Sequence, residues 1–129
     1  MRACERDFDT AFATLLQQRV GALVIGTDGF FVAQSQRLAA LTVRHAVPAI
    51  FQTHEFAATG GLISYGGSDT DGNRLLGLYT GRILKGEKPV DLPVQQSTKV
   101  DLIVNLKTAK TLGLTMPLII QMTADEVIE

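Results

Sequence analysis

Three short stretches gather the side chains that could do chemistry. In "TDGFF" the carboxylate of Asp28 precedes the rings of Phe30 and Phe31, in "QTHEF" His54, Glu55 and Phe56 are consecutive, and in "SYGGSDTD" Ser64 and Tyr65 lead to Ser68 and Asp69. Rings supply flat contact area and carboxylates orient an ammonium group, so this mixture suits a small cationic or zwitterionic molecule. Each stretch also has a plainer reading. Asp28-Gly29 is a common turn pair, and Phe30 can staple a following helix to its sheet. His54 and Glu55, adjacent in sequence, point apart in most backbones and do not by themselves form a base and its orienter. His45, near a helix C-terminus, gains from the helix dipole with no further role. The single cysteine, Cys4, cannot close an internal disulfide and has no metal-ligand spacing around it; it reads as a free structural thiol.

The familiar catalytic signatures are missing. "GTDGFF" has neither G-x-G-x-x-G nor the Lys-Ser/Thr ending of a P-loop. Neither a G-x-S-x-G elbow nor H-E-x-x-H occurs, so the sequence gives catalysis no support. A net charge of −1 over 129 residues provides no overall field for nucleic acid or an anionic membrane. With 46% hydrophobic and 19% charged residues the composition is that of one soluble domain with a core. No apolar run approaches the roughly 20 residues of a membrane span. The opening "MRACERDFDT" lacks an apolar h-region, so a secretory signal is not expected in the chain as written.

Something must hold the three stretches in place, and hydrophobic periodicity supplies the elements. Phe8, Ala11, Phe12, Leu15 and Leu16 form the stripe of an amphipathic helix that ends near Gly21. "VGALVIG" is the apolar run of a strand covered on both faces, "AQSQRLAALTVRHA" a second helix, and "VPAIF" a second buried strand. Val20 to Phe51 is therefore a β-α-β unit with a right-handed crossover. "QTHEFAATGG" reads as a loop with one helical turn, and "LISYGG" as a third short strand. "DGNRLLGLYTGRILK" has helical spacing interrupted by Gly72, Gly77 and Gly81, which suggests close packing against another element. "KGEKPVDLPVQQST" connects it to "KVDLIVNLKTAKTLGL", a strand with one wetter face that runs into a helix capped by Asn105 and ended by Gly113. The fold class is α/β, a mainly parallel open sheet of about four strands flanked by helices. In such sheets ligands bind beyond the carboxyl ends of the strands, where all three stretches fall.

"ALVIGTDGFF", "LAALTVRHAVPAIF", "EFAATGGLISYG", "LYTGRILKGEKPVDLPVQQSTK", "IVNLKTAKTLGLTMP" and the final "ADEVIE" together resemble the C-terminal part of ABC-transporter substrate-binding proteins. The resemblance is to the TrpX-like family of the type I periplasmic-binding fold, in family order and over nearly the whole chain. It implies two α/β lobes that close on a small ligand. Residues 1–129 would be one α/β domain, the incomplete C-terminal lobe with its return crossover segments. It also implies a non-catalytic protein whose ligand-binding residues are Asp28, Phe30, Phe31, Glu55, Phe56, Ser64 and Tyr65, with no metal and no cofactor. The implied partners are a small solute such as an amino acid and the membrane permease of an uptake transporter; nucleic acid is not among them. The implied location is the periplasm, or the cytoplasm if Met1 is the true start. The sequence departs from the usual family wording at Gly29, where proline is common, and at "QTHEF".

The resemblance places the helix around Leu75–Ile83 and the strand Val100–Leu106 partly against the other lobe, and their apolar faces lead to the expectation of a homodimer. Two rival functions stand beside the binding module: a structural or interaction remnant that self-associates without ligand, and a small enzyme using His54 and Glu55.

Overall fold

The computed structural model describes residues 2–95 and 98–129, with side chains from residue 7 onward; the Cys4 thiol and the connector residues Gln96 and Ser97 lie outside the described residues. Five strands form one sheet in the order β1 (Leu23–Val24), β2 (Ala49–Phe51), β3 (Ile63–Gly67), β4 (Val100–Asn105), β5 (Glu126–Ile128). Neighbours are parallel except β3 and β4, which pair antiparallel from Ile63↔Val104 to Gly67↔Val100. The α/β class with a mainly parallel sheet is therefore the observed one, with β5 as a fifth strand that the sequence patterning had not revealed.

Helices cover the two faces unequally. On one face α1 (Arg2–Gln17), α3 (Ser35–Arg44) and α4 (His54–Ala58) close a core of Phe8, Phe12, Leu38, Leu41, Phe51 and Phe56. On the other, α6 (Leu106–Thr111) and α7 (Leu118–Thr123) enclose Leu62, Val104, Ala109 and Met116. Asn105 ends β4 and caps α6 as its residue type suggests, accepting from Thr108 N at 2.9 Å. Gly113 then leaves the helix with φ of 69°.

Several expectations are corrected. The "VGALVIG" strand is not covered on both faces: among the described residues β1 is the edge of the sheet, and Val24 is 78% exposed because no described helix lies over its side. The supposed wetter face of β4 is buried at Ile103 and Asn105, where α4 packs on it, and only Asp101 is partly exposed. "TDGFF" is more than a turn, since Asp28 accepts from Phe30 N at 2.8 Å and caps a short helix α2 (Gly29–Ala33). In α5 (Asp69–Leu84), Gly72, Gly77 and Gly81 face open space rather than a packing partner. No described residue of that helix is buried.

Candidate functional site

The parallel strands β1, β2 and β3 all deliver their carboxyl ends to one rim of the sheet, and antiparallel β4 brings its amino end to the same place. Between these ends lies a cleft of about 320 Å³. Gln52 and α4 form one wall, Gly66 and Gly67 the floor, and Asp69, Thr70 and Asp101 the other wall. The floor requires glycine at position 66: any Cβ there would collide with the backbone carbonyl of Gln52.

Hydrogen bonds from the sheet fix α4 above this floor. Ser64 Oγ donates to Thr53 O at 2.6 Å and accepts from Ala57 N at 2.9 Å. Asn105 Nδ2 donates to Ala57 O at 3.0 Å, and Thr108 Oγ1 to Gly60 O at 2.8 Å. Phe56 anchors the helix from below, edge-on to Phe51 at 5.8 Å, and Gly61 leaves the space its ring occupies. Buried polar groups satisfied in this way hold one geometry, because each lost partner costs its desolvation. The result presents Glu55 and His54 at the cleft mouth.

The cleft is acidic. Glu55, Asp69 and Asp101 line it, and Lys99 Nζ is 3.6 Å from Asp101 Oδ1. That oxygen is buried yet makes no hydrogen bond. An under-coordinated carboxylate oxygen in a cleft is a natural acceptor for a ligand N–H. His54 turns its Nε2 to Glu126 Oε2 at 3.0 Å, tying α4 to β5 rather than pairing with Glu55.

The residues proposed from sequence divide accordingly. Glu55 and Ser64 come together in the cleft, although the Ser64 hydroxyl is already engaged by backbone on both sides. Phe56, fully buried in the core, is withdrawn from any ligand in this arrangement. Tyr65, next to Ser64 in β3, points to the opposite face of the sheet and is exposed. Phe30 and Phe31 do not line the cleft. Phe30 stacks on Phe8 at 5.6 Å, with Phe31 tilted against both. Asp28 is occupied as a helix cap, and its neighbour Thr27 donates to Gln52 Oε1 at 2.6 Å at the cleft's edge. Sequence reasoning left Gln52, Gly66 and Asp101 out of the binding set. Asp101 sits on a strand whose alternation suggested ordinary solvent exposure, and only the antiparallel pairing Gly66↔Asp101 brings it here.

An acidic cleft thus lies at the carboxyl rim of a mainly parallel sheet, and the comparisons with known proteins identify the family. The model of the ABC transporter substrate binding protein family matches residues 5–128, and the chain belongs to that family. None of the curated proteins matches it. Among solved structures, a conserved domain protein from Vibrio cholerae superposes with a TM-score of 0.81 at 20% identity, covering 95% of this chain and 41% of that one. A Streptococcus pneumoniae ABC domain in complex with L-Trp gives 0.78 at 25% identity, covering 89% and 39%. A ligand-free, open substrate binding protein with adhesive properties from Clostridium difficile gives 0.66 at 21% identity, covering 96% and 41%. The chain thus spans about two fifths of the length of these solved chains.

Proposed function

We propose that this chain is the C-terminal, ligand-facing lobe of the substrate-binding component of an ABC uptake transporter, non-catalytic and periplasmic, with a small zwitterionic solute such as an amino acid as its ligand. The observation that carries the proposal is the cleft at the strand ends with the buried oxygen of Asp101 that makes no hydrogen bond. In this reading Asp101 and Glu55 receive the ammonium group, Gln52 offers its amide, and Gly66 lets the solute approach the backbone. Ser64 acts by holding α4. The neighbour bound to L-Trp makes an amino acid the ligand class to test first.

The cleft has an open mouth, which in this reading the other lobe would close. Affinity in such sites comes from burying most of the ligand, so the lobe alone binds weakly. Titration of the chain with L-tryptophan, followed by backbone NMR, is expected to move signals of Gln52, Glu55, Gly66 and Asp101 without saturating at micromolar ligand. Shifts confined to another surface would overturn the site, and micromolar calorimetric binding to the monomer would overturn the need for a second lobe.

A second reading is favoured by α5, on which Leu76, Leu78, Ile83 and Leu84 are all exposed. Leu76, Ile83 and Leu84 share one side of the helix, and that exposed apolar face supports self-association, as a homodimer, by the chain on its own. Light scattering at low micromolar concentration decides between them: a monomer mass with a folded spectrum counts against the dimer.

A further inference from the structure

Thr27 and Gln52 follow the neighbouring parallel strands β1 and β2 and meet across the rim of the cleft. Thr27 Oγ1 donates to Gln52 Oε1 at 2.6 Å. Gln52 belongs to the cleft lining and Thr27 does not, so this bond fixes which end of the amide is already spent. With Oε1 engaged, the group left for the cleft is Nε2, which can only donate. The field of the cleft favours the same orientation. Glu55, Asp69 and Asp101 line it, and carboxylates attract an amide N–H and repel an amide oxygen. Thr27 is itself held in place, because the next residue, Asp28, caps α2 through Phe30 N.

Gln52 and Asp101 approach the same glycine from two sides. The Gln52 carbonyl lies where a Cβ of Gly66 would stand, and Asp101 is the ladder partner of Gly66 in β4. One small molecule over Gly66 therefore meets a fixed donor at one end and a carboxylate at the other. On the reading of this cleft as the solute site, we propose that Gln52 selects for the ligand's carboxylate and that Thr27 is the residue that positions it. The ligand class is then an amino acid whose ammonium and carboxylate are both free, and the corresponding amine is rejected. Carboxylates alone would accept any ammonium and would repel a carboxylate on the ligand. The amide donor held by Thr27 turns that general cation site into one that reads both charges of the solute.

The probes are L-tryptophan, tryptamine, which lacks the carboxylate, and indolepropionate, which lacks the ammonium, each titrated into the chain by NMR. L-tryptophan is expected to bind about tenfold more tightly than tryptamine, the worth of a hydrogen bond to a charged group. It should also move the Gln52 side-chain amide signals, which tryptamine should leave in place. Gln52→Glu keeps the shape and an acceptor for Thr27 but replaces the donor with a carboxylate, so the preference should vanish or reverse. Thr27→Val should lower the preference and Thr27→Ser should restore it. That ratio between two ligands is not moved by a loss of stability common to both. Equal binding of L-tryptophan and tryptamine at the cleft would overturn the proposal and leave the cleft as the site. A preference kept in Gln52→Glu but lost in Lys99→Gln would also overturn it, by giving the carboxylate to the lysine beside Asp101. Indolepropionate binding more tightly than tryptamine, or shifts by all three probes on another surface, would overturn the reading of the cleft itself.

Discussion

Replacing Asn105 with alanine tests whether α4, and with it the cleft mouth, is hung from the sheet by a few buried polar groups. Asn105 is 4% exposed and works in two directions. Its Oδ1 caps α6 through Thr108 N, and its Nδ2 donates to Ala57 O. Losing the cap costs about 1–2 kcal/mol. Ala57 O keeps one partner, Gly60 N at 3.2 Å, so its loss is the smaller part, about 0.5–1.5 kcal/mol. The sum is about 1.5–3.5 kcal/mol, read as a fall in urea midpoint with an unchanged slope. Hydrogen exchange should quicken first at Gly60 and Gly61, the backbone at the end of α4. Asn105→Asp sharpens the test. It keeps the acceptor for Thr108 N but sets a carboxylate oxygen against Ala57 O where a donor stood. Burial and the facing carbonyl raise that carboxyl's pKa in the folded state, so the variant's deficit should shrink as pH falls. A loss below about 1 kcal/mol for Asn105→Ala, with α4 amides unchanged, would refute the reasoning, because a cap and a buried donor together should exceed it.

Gly66→Ala should cost about 1–3 kcal/mol by overpacking against Gln52 and should remove the L-tryptophan shifts at Gln52; an unaltered denaturation midpoint would mean the floor is not rigid. Phe31→Ser should cost about 1–3 kcal/mol, less than the 3–5 of a fully buried ring, since Phe31 only partly joins the core against Phe8 and Phe30; a neutral result by thermal melting would return the ring to the ligand. Glu87 accepts from Arg82 Nε, and this hydrogen bond lowers its carboxyl pKa. Its side-chain carbon signal should therefore titrate below the ordinary glutamate range and move up in Arg82→Gln. What this pair contributes is present above the unfolded carboxyl range and fades as pH falls through the lowered folded value.

Much of this fold was legible because local signals agreed with their tertiary setting. The stripe of Phe8, Phe12 and Leu15, the buried run at Ala49–Phe51, the Asn105 cap and the left-handed Gly113 all appear where their chemistry put them. The failures share a cause: the position of a strand within the sheet is not written in its own residues. "ALVIG" has the composition of a central strand yet lies at the edge, while β4, patterned as half-wet, lies between β3 and β5 under helices on both faces. The site was legible only as a region. "TDGFF" and "QTHEF" do follow strand ends, whereas Ser64 and Tyr65 lie within β3, and Asp101 reaches the cleft through an antiparallel pairing that no spacing in the sequence announces.

Among the described residues, two unsatisfied features sit in different places. Asp101 Oδ1 makes no hydrogen bond at the cleft, and α5 leaves Leu76, Leu78, Ile83 and Leu84 exposed. A helix with no buried residue gains little from packing, and most helical stability in proteins comes from packing. Three interior glycines weaken it further, each by up to about 1 kcal/mol relative to alanine. Helix α5 should therefore be the least protected long element in hydrogen exchange, while α3, with Leu38, Ala39 and Leu41 buried, should be among the most protected. α5 begins at Asp69 in the wall of the cleft. Whatever covers the face of Leu76, Ile83 and Leu84 thus also steadies the wall that faces the cleft, and covering the helix and filling the cleft should favour each other.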